Sequence, residues 1–292
     1  MIPKQIFYMW CGSEKPIDVE MSILSWHKNL PDYKIIEINE ESEQYFDFSA
    51  MRRENEFFDF ACRNRMWAYA ADYVRCYVLE KFGGIWLDTD ITVVKNFDKL
   101  LGDGLFFGRD TDGGNHVETA VIGAAAHHPV LRDILDFYQN EIWKSPLYTG
   151  PRIATEILQR HGFDMTKTGI VECEDIKVYP PEYFFPLALG ADFSLKTLTA
   201  QTRTIHWWKA SWGKKAVTDW LKSKHKKGKE KALTENLKST LALYLFGFLR
   251  FAHYDTDNAK IYVCGLPLIK IIKRKNKQKA LLFGFIPLLK WK

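Results

Sequence analysis

A helix, a double glycine, a buried strand and an acidic pair follow one another between residues 61 and 90. Residues 61–82 carry apolar side chains at helical spacing, which predicts a long amphipathic helix. Gly83-Gly84 follows, as is typical of a helix C-terminus. The apolar residues 85–87 then predict a short strand that runs into Asp88-Thr89-Asp90. A helix that leads directly into a buried strand is the repeating unit of α/β proteins.

The same alternation extends through the first two thirds of the chain. Strands are predicted at residues 2–10, 33–38, 85–87, 91–94, 105–108 and 120–124, and helices at 18–29, 61–82, 129–143 and 151–161. Strands that alternate with helices favour an α/β sandwich with a largely parallel sheet.

Charge divides the chain into two parts. Residues 1–208 hold 21 Lys and Arg against 31 Asp and Glu, whereas residues 209–292 hold 20 against 5, so a mild net charge of +5 hides a strongly basic tail. The composition changes past Trp212, so we predict an acidic domain over residues 1–212 and a basic extension over residues 213–292. Such asymmetry suggests contact with an anionic surface.

The basic extension is predicted to be a helix followed by a hairpin. A lysine-rich run at 222–231 precedes an amphipathic helix at 233–252, and the similar segments 265–270 and 284–290 flank a basic turn. A basic run beside an amphipathic helix favours an anionic membrane surface, reached through residues 222–292. The alternative is a helix and hairpin packed on the catalytic body with a solvated basic edge. No base-stacking module or nucleic-acid fold signature is present, so nucleic acid is not the expected partner.

The cysteines and apolar stretches exclude several classes of protein. Five cysteines, at positions 11, 62, 76, 173 and 264, are widely spaced and form no C-x-x-C pair, which indicates reduced thiols rather than a disulfide scaffold. No apolar signal core follows Met1. The longest uncharged apolar stretches, 239–249 and 280–289, are shorter than the roughly 20 residues that span a bilayer. We expect a cytoplasmic protein that rests on the inner face of the cytoplasmic membrane.

Asp88 and Asp90 are the first candidates for chemistry. Residues two apart on a strand face the same way, so both carboxylates would reach one spot if the extended backbone continued through Thr89. They follow an apolar strand, and open α/β sheets bind ligands at that end. Two carboxylates there suit Mg²⁺ or Mn²⁺. Asp110-Thr111-Asp112 repeats the pattern, but Gly113-Gly114 follows it, which predicts a solvated turn.

Asp72 and Arg75 lie three residues apart on the helix that leads to the acidic pair, and therefore on one face of it. They could form a surface ion pair that contributes little. They could also be functional, with Asp72 accepting sugar hydroxyls and Arg75 neutralising phosphate. The spacing alone does not decide between these alternatives.

The segment from Asp72-x-x-Arg75 to Gly83-Gly84-Ile85-Trp86-Leu87-Asp88-Thr89-Asp90 resembles the DXD sugar-binding region of glycosyltransferase family 32. That family includes yeast-type mannosyltransferases and bacterial capsule and O-antigen enzymes. Three more blocks resemble it in the same order: residues 2–12, residues 149–151 and the His-x(4)-Ser-Trp block at 206–212. The resemblance covers about residues 1–212 and implies a GT-A type fold, Rossmann-like, with a mostly parallel sheet flanked by helices. One departure is Phe7, where the family often carries His.

The resemblance also implies roles for single residues. Trp10 is expected to line the nucleotide base, and Gly150 belongs to the mid-chain block that contributes to substrate binding. Asp72 and Arg75 are expected to hold the donor sugar and its phosphate, and Asp88 to contact ribose or sugar. Asp90 is expected to bind the metal directly, with Asp88 and His206 as further candidate ligands. Ser211 and Trp212 are expected to close over the diphosphate.

The implied reaction is retaining, metal-dependent transfer of a hexose or N-acetylhexosamine. The donor is a nucleoside-diphosphate sugar, in particular a UDP-sugar, and the acceptor is a glycan or lipid-linked oligosaccharide in bacterial surface polysaccharide synthesis. Asp88, Asp90 and Arg75 are the expected catalytic residues, and Mn²⁺ or Mg²⁺ the cofactor. Asp110, Asp112 and Glu118 lie where a loop could reach the acceptor.

Two alternatives remain. Asp88-Thr89-Asp90-Ile91-Thr92 fits the D-x-D-x-T nucleophile motif of haloacid-dehalogenase phosphatases, in which Asp88 would form a phosphoaspartate. That motif normally follows an early strand and needs a downstream Lys and acidic pair. The second alternative is a carbohydrate-binding relative without turnover.

Overall fold

The computed structural model describes residues 1–209, apart from Ser13 and residues 112–114, and the backbone of six strands beyond residue 241. The chain divides into two units, Met1–Leu221 and Lys222–Lys292. The predicted boundary after residue 212 stays a prediction, because residues 210–221 lie outside the described part. Within the described residues, no helix has the length and apolarity needed to cross a membrane.

Strands and helices alternate through the first unit. The strands are β1 (Gln5–Met9), β2 (Lys34–Ile38), β3 (Gly84–Leu87), β4 (Ile91–Val93), β5 (Leu105–Arg109), β6 (Val117–Ala124), β7 (Val171–Cys173), β8 (Ile176–Tyr179) and β9 (Thr204–His206). The helices are α1 (Ile17–Asn29), α2 (Phe48–Glu54), α3 (Glu56–Arg63), α4 (Trp67–Phe82), α5 (Pro129–Asp136), which continues as a π-helical turn at Phe137–Glu141, and α6 (Gly150–Arg160).

Seven of these strands form one mixed sheet in the order β2-β1-β3-β6-β5-β8-β7. β2, β1, β3, β5 and β8 run in one direction, while β6 and β7 run in the other. The prediction of an α/β domain with a largely parallel sheet is therefore confirmed. β4 and β9 pair separately as a two-stranded ribbon in which Ile91 lies opposite His206.

Successive side chains of a strand point to opposite faces of the sheet. Both faces are buried here, because apolar residues occupy odd and even positions along the strands. Phe7 and Met9 of β1 pack on the face covered by α3–α6, whereas Ile6 and Tyr8 pack on the opposite face with Trp26 of α1. Trp26 is fully buried, and its indole N–H donates to the carbonyl of Ile91 at 2.7 Å. This bond ties α1 to the segment that follows the acidic pair.

The helix predicted at 61–82 is two helices. α3 ends at Arg63 and α4 begins at Trp67, because Arg65 between them adopts a left-handed backbone with φ 53°. The double glycine ends α4 as predicted. A Cβ on Gly84 would come within 2.8 Å of the Gln5 carbonyl oxygen, so close packing of this turn on β1 requires glycine.

The second unit contains a six-stranded antiparallel sheet in sequential order. Its strands are β10 (Ala242–Leu245), β11 (Leu249–Asp255), β12 (Lys260–Val263), β13 (Leu266–Arg274), β14 (Lys277–Leu282) and β15 (Ile286–Trp291). The helix predicted at 233–252 is wrong over 242–245 and 249–252, which are strands. A short apolar run does not distinguish helix from strand, and the aromatic residues Phe251 and Tyr254 favour a strand.

The predicted hairpin between segments 265–270 and 284–290 is also corrected. These segments lie in β13 and β15, which do not pair with each other, since each pairs with β14. The basic stretch expected to form the turn contributes residues to β13 and β14 instead. Only two residues, 275 and 276, separate these strands, which is a favourable hairpin loop length.

Candidate active site at the carboxyl edge of the sheet

Strand directions bring several acidic residues to one edge of the sheet. β6 is antiparallel to its neighbours β3 and β5, so its first residues lie beside the carboxyl ends of both. Asp88 follows β3, Asp110 follows β5, and Glu118 lies near the start of β6. Trp10 follows β1 at the same edge. These residues therefore lie at the carboxyl ends of the strands, where the sequence predicts the site.

The acidic pair itself lies in a turn. The Asp88 amide still donates to the carbonyl of Ala120 at 2.9 Å, but the Ile91 amide donates back to the Asp88 carbonyl at 3.0 Å. The extended backbone expected through Thr89 is wrong, because the chain leaves the sheet here to enter the ribbon of β4 and β9. Asp88 and Asp90 consequently have different partners, although both raise the pKa of His206.

Arg75 is buried beneath Asp88, with 3% of its surface exposed. Its Nη2 atom lies 3.1 Å from Asp72 Oδ1 and 3.2 Å from Asp88 Oδ1, and its Nη1 atom donates to the carbonyl of Thr119. The guanidinium lies 5.3 Å from the centre of the Trp86 ring, whose indole N–H donates to Asp88 Oδ1 at 2.7 Å. The surface ion pair considered from spacing is thus excluded, and a fixed cation lies beside the first acidic residue.

Asp72 holds Arg75 from the other side. Its Oδ2 atom accepts the backbone N–H of Gly150, the first residue of α6, at 3.0 Å. A Cβ on Gly150 would lie 2.5 Å from Asp72 Oδ1, so glycine is needed at this position. Burial raises the pKa of Asp72 to about 6; Arg75 acts against this shift and the nearby Asp88 charge adds to it. Gly150, Asp72 and Arg75 therefore form one connected unit.

Asp90 faces His206 across the ribbon. Asp90 Oδ1 lies 3.3 Å from His206 Nε2, and Asp90 Oδ2 accepts the Lys209 backbone N–H at 3.0 Å. Burial acts to raise the pKa of Asp90, but the His206 and Lys209 contacts outweigh it and hold that pKa below its ordinary value. Burial acts to lower the pKa of His206, yet the charges of Asp90, Asp88 and Glu118 raise it.

This pair fits a divalent ion. A separation of 3.3 Å is close to the roughly 3 Å between adjacent ligand atoms on an ion with bonds of about 2.1 Å. His206 Nδ1 is buried and has no hydrogen-bond partner among the described residues. Carboxylate and imidazole together suit Mn²⁺ better than Ca²⁺. Asp88 fits less well as a ligand, because its Oδ1 atom already accepts two donors.

Asp110 is not in a solvated turn, contrary to the sequence prediction. Its side chain is 10% exposed, and Asp110 Oδ2 lies 2.9 Å from His116 Nε2. Glu118 completes a cluster in which one ligand atom of each residue lies within 4.8 Å of the others. Burial, followed by the charges of Asp110 and Asp88, raises the pKa of Glu118 to about 7. Asp112 lies outside the described residues.

Aromatic side chains line the rest of the site. Trp10 is half-buried against the same core as Tyr8 and Trp26. The Trp208 ring centre lies 4.0 Å from that of His206, and its indole N–H donates to the Leu187 carbonyl at 2.6 Å. Ser211 and Trp212 lie outside the described residues, so their expected closure over the diphosphate stays a prediction. Trp86, Thr119 and His116 were missed, although Trp86 and His116 each stand two residues from a candidate carboxylate.

Residues 16–107 match the family model described as "Glycosyltransferase sugar-binding region containing DXD motif". The chain is 26% identical over 199 residues to "Uncharacterized glycosyltransferase L373" of Acanthamoeba polyphaga mimivirus, covering 66% of this chain and 76% of that protein. It is 28% identical over 124 residues to the human "Lactosylceramide 4-alpha-galactosyltransferase", covering 40% and 32%. It is 28% identical over 140 residues to "Inositol phosphoceramide mannosyltransferase 3" of Schizosaccharomyces pombe, covering 46% and 36%.

The chain thus spans about three quarters of the viral relative and about a third of the human and yeast relatives. Among solved structures, it is similar to "PaToxG Glycosyltransferase" with 23% identity and a TM-score of 0.44, over 55% of this chain and 70% of that one. It is also similar to the apo form of the glycosyltransferase GlyE from Streptococcus pneumoniae TIGR4, with 13% identity and a TM-score of 0.42, over 82% and 64%.

The family match covers Asp72, Arg75, Asp88 and Asp90 of the candidate site and ends before Asp110 and His206. DXD-containing members of this family usually use a divalent metal ion, a sugar donor and a glycan or lipid acceptor. The resemblance to glycosyltransferase family 32 is thereby confirmed, and a phosphatase is disfavoured. Residues 16–107 of this chain thus resemble the sugar-binding region of the DXD-containing glycosyltransferases.

Proposed function

We propose that this protein transfers a hexose or N-acetylhexosamine from a UDP-sugar to a hydroxyl group of a glycan or lipid-linked glycan, with retention and with the help of Mn²⁺ or Mg²⁺. The observation that carries the proposal is the buried Arg75, fixed between Asp72 and Asp88 at 3.1 and 3.2 Å. A buried cation with such fixed partners beside an Asp–His pair suits a diphosphate ester.

Arg75 would stabilise the departing diphosphate. Its guanidinium is held by Asp72, Asp88, the Thr119 carbonyl and the face of Trp86, so it need not reorganise when negative charge develops. Preorganised donors of this kind supply much of the rate enhancement in group transfer. Asp72 is best described as a positioning residue, since both of its oxygens hold protein groups.

Asp90 and His206 would hold the metal ion, and Asp88 would remain with Arg75 and accept a sugar or ribose hydroxyl through its second oxygen. The ion supplies Lewis-acid neutralisation of the leaving diphosphate. The nucleotide base would stack on Trp10, which offers an aromatic face at the same sheet edge. No protein nucleophile is assigned, so a front-side route is proposed in which a leaving phosphate oxygen helps to deprotonate the acceptor.

The acceptor is proposed only as a chemical class, on the basis of the lipids that two relatives are named for. Two relatives are named for lactosylceramide and inositol phosphoceramide, which are sugar-bearing or inositol-bearing lipids. For this chain we propose a glycan or lipid-linked acceptor of a surface polysaccharide. A peripheral position on the cytoplasmic face of the membrane now rests on the charge of residues 222–292 rather than on an amphipathic helix, since the described part of 233–252 is strands.

A panel of nucleotide sugars tests the proposal. We expect release of free sugar from one UDP-sugar with Mn²⁺, and its loss with EDTA. Asp90→Asn should lower that activity at least about 100-fold, whereas Asp192→Asn, at an exposed position, should not. Unchanged activity in Asp90→Asn would refute the metal assignment. Trapping of Asp88 by beryllofluoride would support the phosphatase instead, and nucleotide binding without any turnover would support the non-catalytic alternative.

A further inference from the structure

We propose that Asp110, His116 and Glu118 bind a second divalent transition-metal ion, of the Zn²⁺ class, at the connected end of the β5–β6 hairpin. Its three residues do not include Asp90 or His206, and the proposal does not depend on the identity of the sugar donor. It goes beyond the family match, which ends at residue 107.

Topology creates the cluster. β5 and β6 are antiparallel neighbours, with Arg109 opposite Val117, so Asp110 and His116 lie next to each other at the connected end of the hairpin. Glu118, one residue beyond Val117, points its carboxylate into the same space, because its ligand atom lies within 4.8 Å of those of Asp110 and His116. The pairing of β5 with β6 fixes the backbone on both sides of the cluster before any ion binds.

The donor set is suitable for the ion. Two carboxylates and one imidazole give mixed oxygen and nitrogen ligands, which Zn²⁺, Mn²⁺ and Co²⁺ accept more readily than Ca²⁺ does. Asp110 Oδ2 and His116 Nε2 are 2.9 Å apart, the spacing of adjacent ligands on one ion. All three side chains are partly exposed, so an ion can reach them.

Charge favours a cation here as well. The cluster contains two carboxylates, those of Asp110 and Glu118, and a single imidazole. Arg75, the buried cation beside these residues, lies against Asp72 and Asp88 instead. An ion at the hairpin end would therefore neutralise the carboxylates of Asp110 and Glu118, which form no ion pair with Arg75 among the contacts described above.

His161 supplies a matched control. It forms a similar Asp–His pair, with His161 Nε2 2.7 Å from Asp133 Oδ2, but it belongs to no cluster of three metal-binding side chains among the described residues. Loss of ion binding in His116→Gln but not in His161→Gln would show that the triad, rather than any Asp–His pair, is needed.

The experiment uses the metal-stripped full-length protein, titrated with Zn²⁺ by calorimetry and with Co²⁺ by visible absorption. We expect two ions per chain in the wild type, one in His116→Gln, one in Asp90→Asn and two in His161→Gln. The residual affinity at the hairpin site should fall at least about 10-fold in His116→Gln. Asp110→Asn serves as a second variant if His116→Gln unfolds.

Two results would overturn the inference. One ion in the wild type that Asp90→Asn removes and His116→Gln retains would leave the proposed function intact and exclude the second site. A single ion lost in both variants would show one shared site. Failure of the sugar-transfer proposal has a different signature, because the two-ion stoichiometry would persist without release of sugar from any donor.

Discussion

Gly150→Ala should damage the donor site without touching any residue proposed to contact the donor. The added methyl group would lie 2.5 Å from Asp72 Oδ1 and 2.7 Å from Asp72 Cγ. Ordinary contact needs about 3.5 Å, so the carboxylate must move by about 1 Å. That movement weakens the 3.0 Å bond from the Gly150 amide and the 3.1 Å contact with Arg75.

The loss of stability in Gly150→Ala follows from these contacts. Overpacking of a buried position costs about 1–3 kcal/mol, and a weakened hydrogen bond to a charged group costs about 1.5–3 kcal/mol. Alanine regains up to about 1 kcal/mol in the helix relative to glycine. We expect the free energy of unfolding to fall by about 2–5 kcal/mol. Displacement of Arg75 by about 1 Å should lower kcat about 100-fold.

Urea unfolding and donor hydrolysis measure these two effects. Gly102→Ala is the matched control, because a Cβ there meets nothing within 4 Å and its φ is not in the left-handed region; it should change stability by at most about 1 kcal/mol. In an Asp72→Ala background the steric conflict disappears, so Gly150→Ala should then cost little. An equal cost in both backgrounds would refute the steric reasoning.

Three further changes test other contacts of the site. Trp86→Phe removes the 2.7 Å bond to Asp88 and should raise the donor KM about 5- to 10-fold, equivalent to about 1 kcal/mol; an unchanged KM would contradict that role. Arg75→Lys keeps the positive charge but loses the planar guanidinium that bonds several partners at once, so kcat should fall about 100-fold. Full activity in this variant would show that the charge alone suffices. Burial and neighbouring charges raise the pKa of Glu118 from 4.5 to about 7 in the folded protein. As pH rises, the unfolded chain therefore loses the Glu118 proton before the folded protein does. The free energy of unfolding should then fall between about pH 4.5 and pH 7. Glu118→Gln should flatten that fall in EDTA-containing buffer, while Glu172→Gln, at an exposed position, should retain it.

Local patterns predicted much of the first unit. The apolar stripe of α4, the double glycine and the buried strands β1 to β3 each carry their own signal, because period and turn residues act over a few positions. The spacing of Asp72 and Arg75 placed them on one face correctly. β7 and β8 were missed, since these short strands with polar residues gain their structure from pairing, β8 with β5 and β7 with β8, rather than from local preference.

Pairing between strands accounts for the errors at the site. Asp110 has the sequence surroundings of a solvated turn, and only the antiparallel approach of β6 brings His116 and Glu118 to it. Likewise, nothing near Asp90 indicates that the chain turns out of the sheet to meet β9. In the second unit, the helix prediction was wrong because leucine and phenylalanine at mixed spacing suit both periods.

The ribbon of β4 and β9 has a consequence for the order of folding. Asp90 finds Lys209 across 119 residues, whereas Arg75 and Asp72 are separated by a single helical turn. Closing so long a loop costs more chain entropy and is slower than forming local contacts. During synthesis, Arg75 and Asp72 can come together long before His206 has been added to the chain. The pairing of Asp90 with His206 would therefore mark the completion of the catalytic fold, and a newly made chain would acquire the ion site of this pair last.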